Sequence, residues 1–250
     1  MATRLRASDL VLENGQFIQP VKQPNKKFKL EHAKFDFQEL VEISSYNFET
    51  KVPVTAGEFE AQFNEKRARL LLAMPNICQN VILPGLLPPS PQGDIGTNLA
   101  VYIKAIERGY KKEFLGNVFY GPGKLKGRVQ SVQGTGHERI LAVKEWTPFV
   151  YVADCMRCWP VTVQRTPQPV LIKLGLSVAG GYDGFSILSL HPTILASEWT
   201  CPGIDYSGLE VDHGDSSLCA KSFIYNLSLT LTDNVGVSID HCSGAVSFLG

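Results

Sequence analysis

With 250 residues, 44% of them apolar and only 19% charged, the chain is not a disordered polymer, and it is long enough to bury a core without disulfide or metal staples. Its 24 basic side chains balance 24 acidic ones, but unevenly along the chain. Residues 1–128 carry 18 Lys/Arg against 13 Asp/Glu, a net of +5, and residues 129–250 carry 6 against 11, a net of −5.

The first element is a hairpin. Leu10–Leu12 and Gln16–Ile18 flank Asn14-Gly15, a dipeptide that readily takes positive φ in a tight turn. Pro20 and Pro24 break the chain. Phe28, Leu30, Phe35 and Phe37 then read as one bulged strand or two short ones. Lys22, Lys26, Lys27, Lys29 and Lys34 run through this stretch, as charges that guard an edge strand against unwanted pairing. Val41 to Phe48 is expected to be a further strand. Residues 55–73 carry the clearest helix pattern, opened by the capping-box sequence Thr55-Ala56-Gly57-Glu58 and stopped at Pro75. Leu83 to Gly93, with Pro84, Pro88, Pro89 and Pro91, reads as a linker or a long surface loop. Thr97 to Lys112 fits both periods, and its length favours a helix.

Beyond Phe114 short apolar alternations recur between glycine-rich turns. The expected strands are Arg128–Val132, Ile140–Val143, Val170–Val178 (nearly all apolar, hence central), Phe185–Leu190, Phe223–Leu231, Val235–Ile239 and Ala245–Leu249. Gly180-Gly181-Tyr182-Asp183-Gly184 reads as the turn between two of them. The expected fold is mainly β, an antiparallel sandwich or jelly-roll-like body with one or two helices in the N-terminal half, α+β overall. Residues 1–90 form either a separate N-terminal unit before a β-rich 91–250 domain or part of a single domain spanning 1–250.

Few residues carry recognisable chemistry. Cys155-Met156-Arg157-Cys158 has the spacing at which two thiolates grip one zinc ion. Completing such a site would call on His213 and Cys219, although no second compact pair is present and two cysteines packed between strands explain the motif equally simply. Zinc is therefore the only cofactor considered, and none is required. Asp212-His213 and Asp240-His241 place acids beside imidazoles, but no nucleophile elbow accompanies them.

Lys104, Arg108, Lys111, Lys112, Lys124, Lys126 and Arg128 form a basic run interleaved with aromatics, the residue types that neutralise phosphates and stack on bases. The same run also reads as a solvated helix face followed by a hairpin. Met1 to Gly15 lacks the apolar stretch of a secretory signal, and no run approaches a membrane span. An intracellular location with reduced cysteines is expected.

Together these features favour a self-assembling β-rich structural subunit, such as a viral coat, virion or occlusion-type protein, with its oppositely charged halves meeting between copies. Two alternatives stand beside it. One is a nucleic-acid or anion binder using residues 104–128, and the other is a hydrolase or zinc protein centred on Cys155, Cys158, His213 and Cys219.

Overall fold

The computed structural model describes residues 10–18, 34–114, 119–120, 123–157, 159–194, 203–212, 216–223, 226–232 and 242–250. The Asn14-Gly15 turn forms as expected. Val11 bridges Phe17, Gly15 sits at φ 82°, and the Asn14 side chain accepts the Gln16 N–H. The lysine-rich stretch ahead of Lys34 lies outside the described residues.

The stretch expected as a strand over Val41–Phe48 is instead helix α1, Phe37–Asn47. Asp36 caps it by accepting the Glu39 N–H, and Leu40, Ser44 and Asn47 recur at helical spacing on its buried side. Helix α2, Ala56–Ala73, carries the full Thr55/Glu58 capping box and buries Phe59, Phe63 and Leu70. Pro75 then starts a short 3₁₀ turn.

Strand β1, Val81–Leu87, occupies the first part of the expected linker and pairs along its length with β4, Thr147–Arg157. Helix α3, Ile95–Glu113, is capped by Asp94 and resolves the ambiguous segment as a helix. The strand expected over Ile140–Val143 is replaced by α4, His137–Leu141.

The expected central strand Val170–Val178 divides into α6, Pro169–Lys173, and the short β5, Leu176–Val178, after α5, Val161–Gln164. Phe185–Leu190 belongs to helix α7, Gly181–Leu190. The remaining strands are β2, Phe119–Tyr120; β3, Val129–Ser131; β6, Gly203–Val211; β7, Ser216–Phe223; β8, Asn226–Thr232; and β9, Cys242–Phe248. Val235–Ile239 lies outside the described residues.

The strands build one mixed sheet in the order β1-β4-β9-β6-β7-β8-β2, with β3 beside β6 and β5 beside β9. The β6–β9 and β2–β8 pairs are parallel. The fold is α+β, and its strands do not divide into the two facing sheets of a sandwich. Helices take the place of the second sheet.

On one face α3 and α7 cover Leu83, Phe149, Tyr151, Ala245, Ile204, Tyr206 and Leu218. On the other, α2 and the 10–18 hairpin cover Leu86, Val150, Val152, Val246 and Phe248. Alternate residues of β4 therefore enter different cores, which is why its burial is continuous. No described helix is long and apolar enough to cross a membrane.

The charge division near residue 128 does not separate two bodies. β1 and β2 of the basic half lie at the two ends of a sheet whose other strands come from the acidic half. Arg128 also pairs with Asp212 across the division.

Helix α7 is the innermost element, and every one of its residues is buried. Its glycines permit that depth. A Cβ at Gly181 would stand 2.4 Å from the Leu99 side chain of α3, and one at Gly184 would stand 2.1 Å from the Tyr206 ring of β6. Phe185 then meets Tyr206 edge-on at 4.9 Å, and Tyr182 stacks on Tyr102 at 4.7 Å. The Gly184→Ala variant should therefore lose stability. Helix propensity favours alanine by about 1 kcal/mol, but overpacking in a close-packed core costs about 1–3 kcal/mol and a rigid ring wall lies at the upper end. A fall in the urea midpoint with unchanged slope is the expected readout.

Candidate functional site

The densest buried polar chemistry surrounds Asp183 on α7. Its carboxylate accepts the Gly180 N–H at 2.9 Å and the Ser247 hydroxyl of β9 at 2.5 Å. His137, at the start of α4, places Nδ1 3.7 Å away. The imidazole fills space left by Gly180, where a Cβ would lie 2.2 Å from the ring, and it also abuts Gly208. Both ring nitrogens, and the hydroxyls of Tyr102, Tyr151 and Tyr206, have no hydrogen-bond partner among the described residues.

Burial pushes the Asp183 carboxyl up and the His137 imidazole down, so desolvation favours the uncharged form of each. Their mutual attraction opposes it, and the nearby Glu138 carboxylate also holds the imidazole up. In a nucleophilic relay the imidazole lies between hydroxyl and carboxylate. Here the carboxylate lies between hydroxyl and imidazole, and the whole group is sealed from solvent. The arrangement clamps α4, α7 and β9 to one another.

A second buried group performs similar work. Gln164 donates to Asp205 and to the Trp159 carbonyl and accepts from Ser207. Arg165 donates to the carbonyls of Ser207, Leu209 and Ser216, filling acceptors where β6 bends away from its neighbours.

The residues expected to hold zinc do not all converge. Cys155 lies in β4 beside a bulge, at which Asp154 takes φ 60° and pairs with Arg157. Cys219 lies in β7. Cys219 pairs with Asp205, Asp205 with Gly244, and Gly244 with Met156, so the two cysteines are separated by three strand spacings, about 14 Å. One zinc ion with ligand bonds of about 2.3 Å cannot join them. Cys158 and His213 lie outside the described residues. Among the described residues no group of three or more His, Cys, Asp or Glu could hold a metal. Burial pushes the Cys155 thiol up to about 12, which removes thiolate chemistry near neutral pH.

The basic residues spread along α3 and the loop at its opposite end, and four already have partners. Arg108 pairs with Glu49 and donates to the Asn47 carbonyl, Lys111 pairs with Glu107, and Lys112 lies over the Tyr46 ring. Arg128 pairs with Asp212 and donates to the Lys124 carbonyl. Lys104, Lys124 and Lys126 are exposed. The last two flank Leu125, which packs at Gly96 in the first turn of α3, whereas Lys111 and Lys112 close its last turn. A 19-residue helix spans about 28 Å, so no single compact cation cluster forms.

The two ends of the sheet differ. At β1, Pro84 has no N–H to offer, its carbonyl lies 2.8 Å from His191 Nε2, and the Leu86 carbonyl accepts the Ser186 hydroxyl at 2.6 Å. That edge is closed by α7 and the turn after it. At the other end, β8 pairs with β7 throughout, while β2 covers only Leu227 and Ser228. Leu229–Thr232 has no strand on its outer side among the described residues.

Sequence reasoning missed both the buried clamp and the unequal edges. The signal for the clamp was one acid, Asp183, inside an apolar run beside three glycines, a pattern that a turn also satisfies. No known family model matches this chain, and no curated protein or solved structure is significantly similar to it.

Native-state alkylation should modify the exposed Cys78 and spare the buried Cys155 and Cys219 until denaturant is added, as peptide mass mapping would report. Acid should also weaken the fold through His191. Burial lowers this group from 6.5 to about 4, with the Pro84 carbonyl opposing the shift. Its contribution is present above pH 6.5 and is lost as pH falls toward 4, where the unfolded chain binds the proton and the folded chain does not. The loss is at most about 3 kcal/mol. His191→Gln retains a donor for Pro84 and should flatten the fall in denaturant midpoint over that window. His137 acts in the same sense and leaves a residual slope; Asp183, raised above 3.8, acts in the opposite sense.

Proposed function

We propose that this chain is a structural subunit that associates with copies of itself, using the outer edge of β8. The observation that carries this reading is the contrast between the two ends of the sheet. Exposed strand edges are normally blunted by charge, proline, bulges or covering elements. β1 is treated in this way by Pro84, Ser186 and His191. β8, with the sequence Asn-Leu-Ser-Leu-Thr-Leu-Thr, contains no charge, proline or glycine and pairs regularly with β7 over seven residues. Such a strand favours the addition of another. A coat or virion role is one use of such a subunit.

Strand addition rests on main-chain hydrogen bonds, whereas attraction between the +5 and −5 halves would be screened by salt. Sedimentation velocity over a hundredfold concentration range, at low and high salt, separates the two. The expected result is a mass that rises with concentration and persists in high salt. Association that dissolves in salt would move the contact to the charged surfaces, and a monomer under every condition would overturn the proposal.

A further inference from the structure

We propose that Asn14 is a latent site of self-modification, shut while the Leu10–Ile18 hairpin is docked, and that its conversion to isoaspartate bars the hairpin from docking again.

The chemistry follows from the residue pair at the turn. Asparagine is thermolabile. A following glycine makes the reaction easiest, because Gly15 has no Cβ to shield its amide nitrogen. That nitrogen, losing its proton, attacks Asn14 Cγ. The new N–C bond closes a cyclic imide, the bond to the side-chain amide nitrogen breaks, and ammonia leaves with the proton. Water then opens the imide at either carbonyl. One opening gives aspartate. The other gives isoaspartate, in which the main chain runs through Cβ and Cγ. No electrons are exchanged, and water is the co-reactant.

Both reacting groups are engaged in the docked hairpin. The Gly15 N–H donates to the Leu12 carbonyl at 2.9 Å, and Asn14 Oδ1 accepts the Gln16 N–H at 3.0 Å. Attack requires the first bond to break and the Asn14 side chain to leave the second. The hairpin is in turn tied to distant elements. The Leu10 N–H donates to Gln168 Oε1 at 3.2 Å, Trp159 Nε1 donates to the Ile18 carbonyl at 3.1 Å, and the Asn76 N–H donates to the Asn14 carbonyl at 2.9 Å. Phe17 meets the Trp159 ring at 6.1 Å, and Leu10 and Val11 are buried. Opening of the turn is therefore coupled to lifting of the hairpin from the core. Asn14 itself is exposed, so water reaches it.

Isoaspartate does not fit this seat. It adds one backbone atom between Asn14 Cα and the Gly15 nitrogen. Both ends of that link are fixed: the Asn14 carbonyl by Asn76, and Gly15 by Met74, whose Cβ would stand 2.6 Å from a Cβ at Gly15. Aspartate, by contrast, keeps the main-chain path and an acceptor for the Gln16 N–H.

The test incubates the full chain at mildly alkaline pH, with and without urea, and follows Asn14 by peptide mass mapping that separates isoaspartate from aspartate. Conversion should be slower in the native chain by about tenfold or more, because only the locally opened fraction reacts. Trp159→Phe, which deletes the donor to Ile18, should speed native conversion. The isoaspartate chain, separated by ion exchange, should show faster hydrogen exchange over residues 10–18 than the unmodified chain, whereas Asn14→Asp should not. Equal rates with and without urea would overturn the shut site, and a native rate that ignores Trp159→Phe would overturn its coupling to docking. Exchange in the isoaspartate chain that matches Asn14→Asp would overturn the barred return. The comparison with and without urea needs no variant, so it decides the first point even if Trp159→Phe fails to fold.

Discussion

The close seating of α7 against α3 and β6 is the constraint on which the rest of this structure depends. Gly181 and Gly184 remove the side chains that would strike Leu99 and Tyr206, and Gly180 leaves room for His137. A helix so placed has no solvent face, so each polar group on it needs an internal partner. Asp183 takes the Ser247 hydroxyl, Ser186 bonds the Leu86 carbonyl, and the Ser189 carbonyl accepts from Asn47 on α1. These bonds run to β9, β1 and α1 respectively. One buried helix thus aligns the sheet with the helical layer over it.

The same bonds decide what surface remains. Ser186 and His191 occupy the outer carbonyls of β1, so closure of that edge follows from the position of α7. Among the described residues the opposite end has no comparable helix, and only two residues of β2 pair with β8 there. Burial therefore accounts for the sealed character of His137, Asp183 and Cys155, and the position of α7 for the closure of the sheet at β1.

Local signals were legible in the sequence. The Asn14-Gly15 turn, the Thr55/Glu58 capping box and the long amphipathic α3 each depend on neighbours a few residues away, and each formed where its pattern lay. The errors fell on apolar stretches with little or no clean period. Phe185–Leu190 and Val170–Ile172 are short, mostly apolar runs, too short for their period to tell a helix from a strand. The α1 segment carries β-branched residues, but Asp36 and the packing of Phe37 on Phe59 and Phe63 impose the helix.

Composition, balanced charge and the punctuation of turns and caps were enough to determine, from the sequence alone, a folded chain with two well-marked helices near its front, while the mainly β body expected behind them proved to be a mixed sheet with helices on both faces. Only the tertiary structure decided that its strands form one mixed sheet between helical layers, that Cys155 and Cys219 stand three strands apart, and that the sheet edge at β1 is closed by His191 and Ser186. The reason is physical. Turn and cap preferences are energies between near neighbours, whereas strand order and the partners of Asp183, Ser186 and His191 join residues that lie far apart in the chain and meet only after α7 is buried.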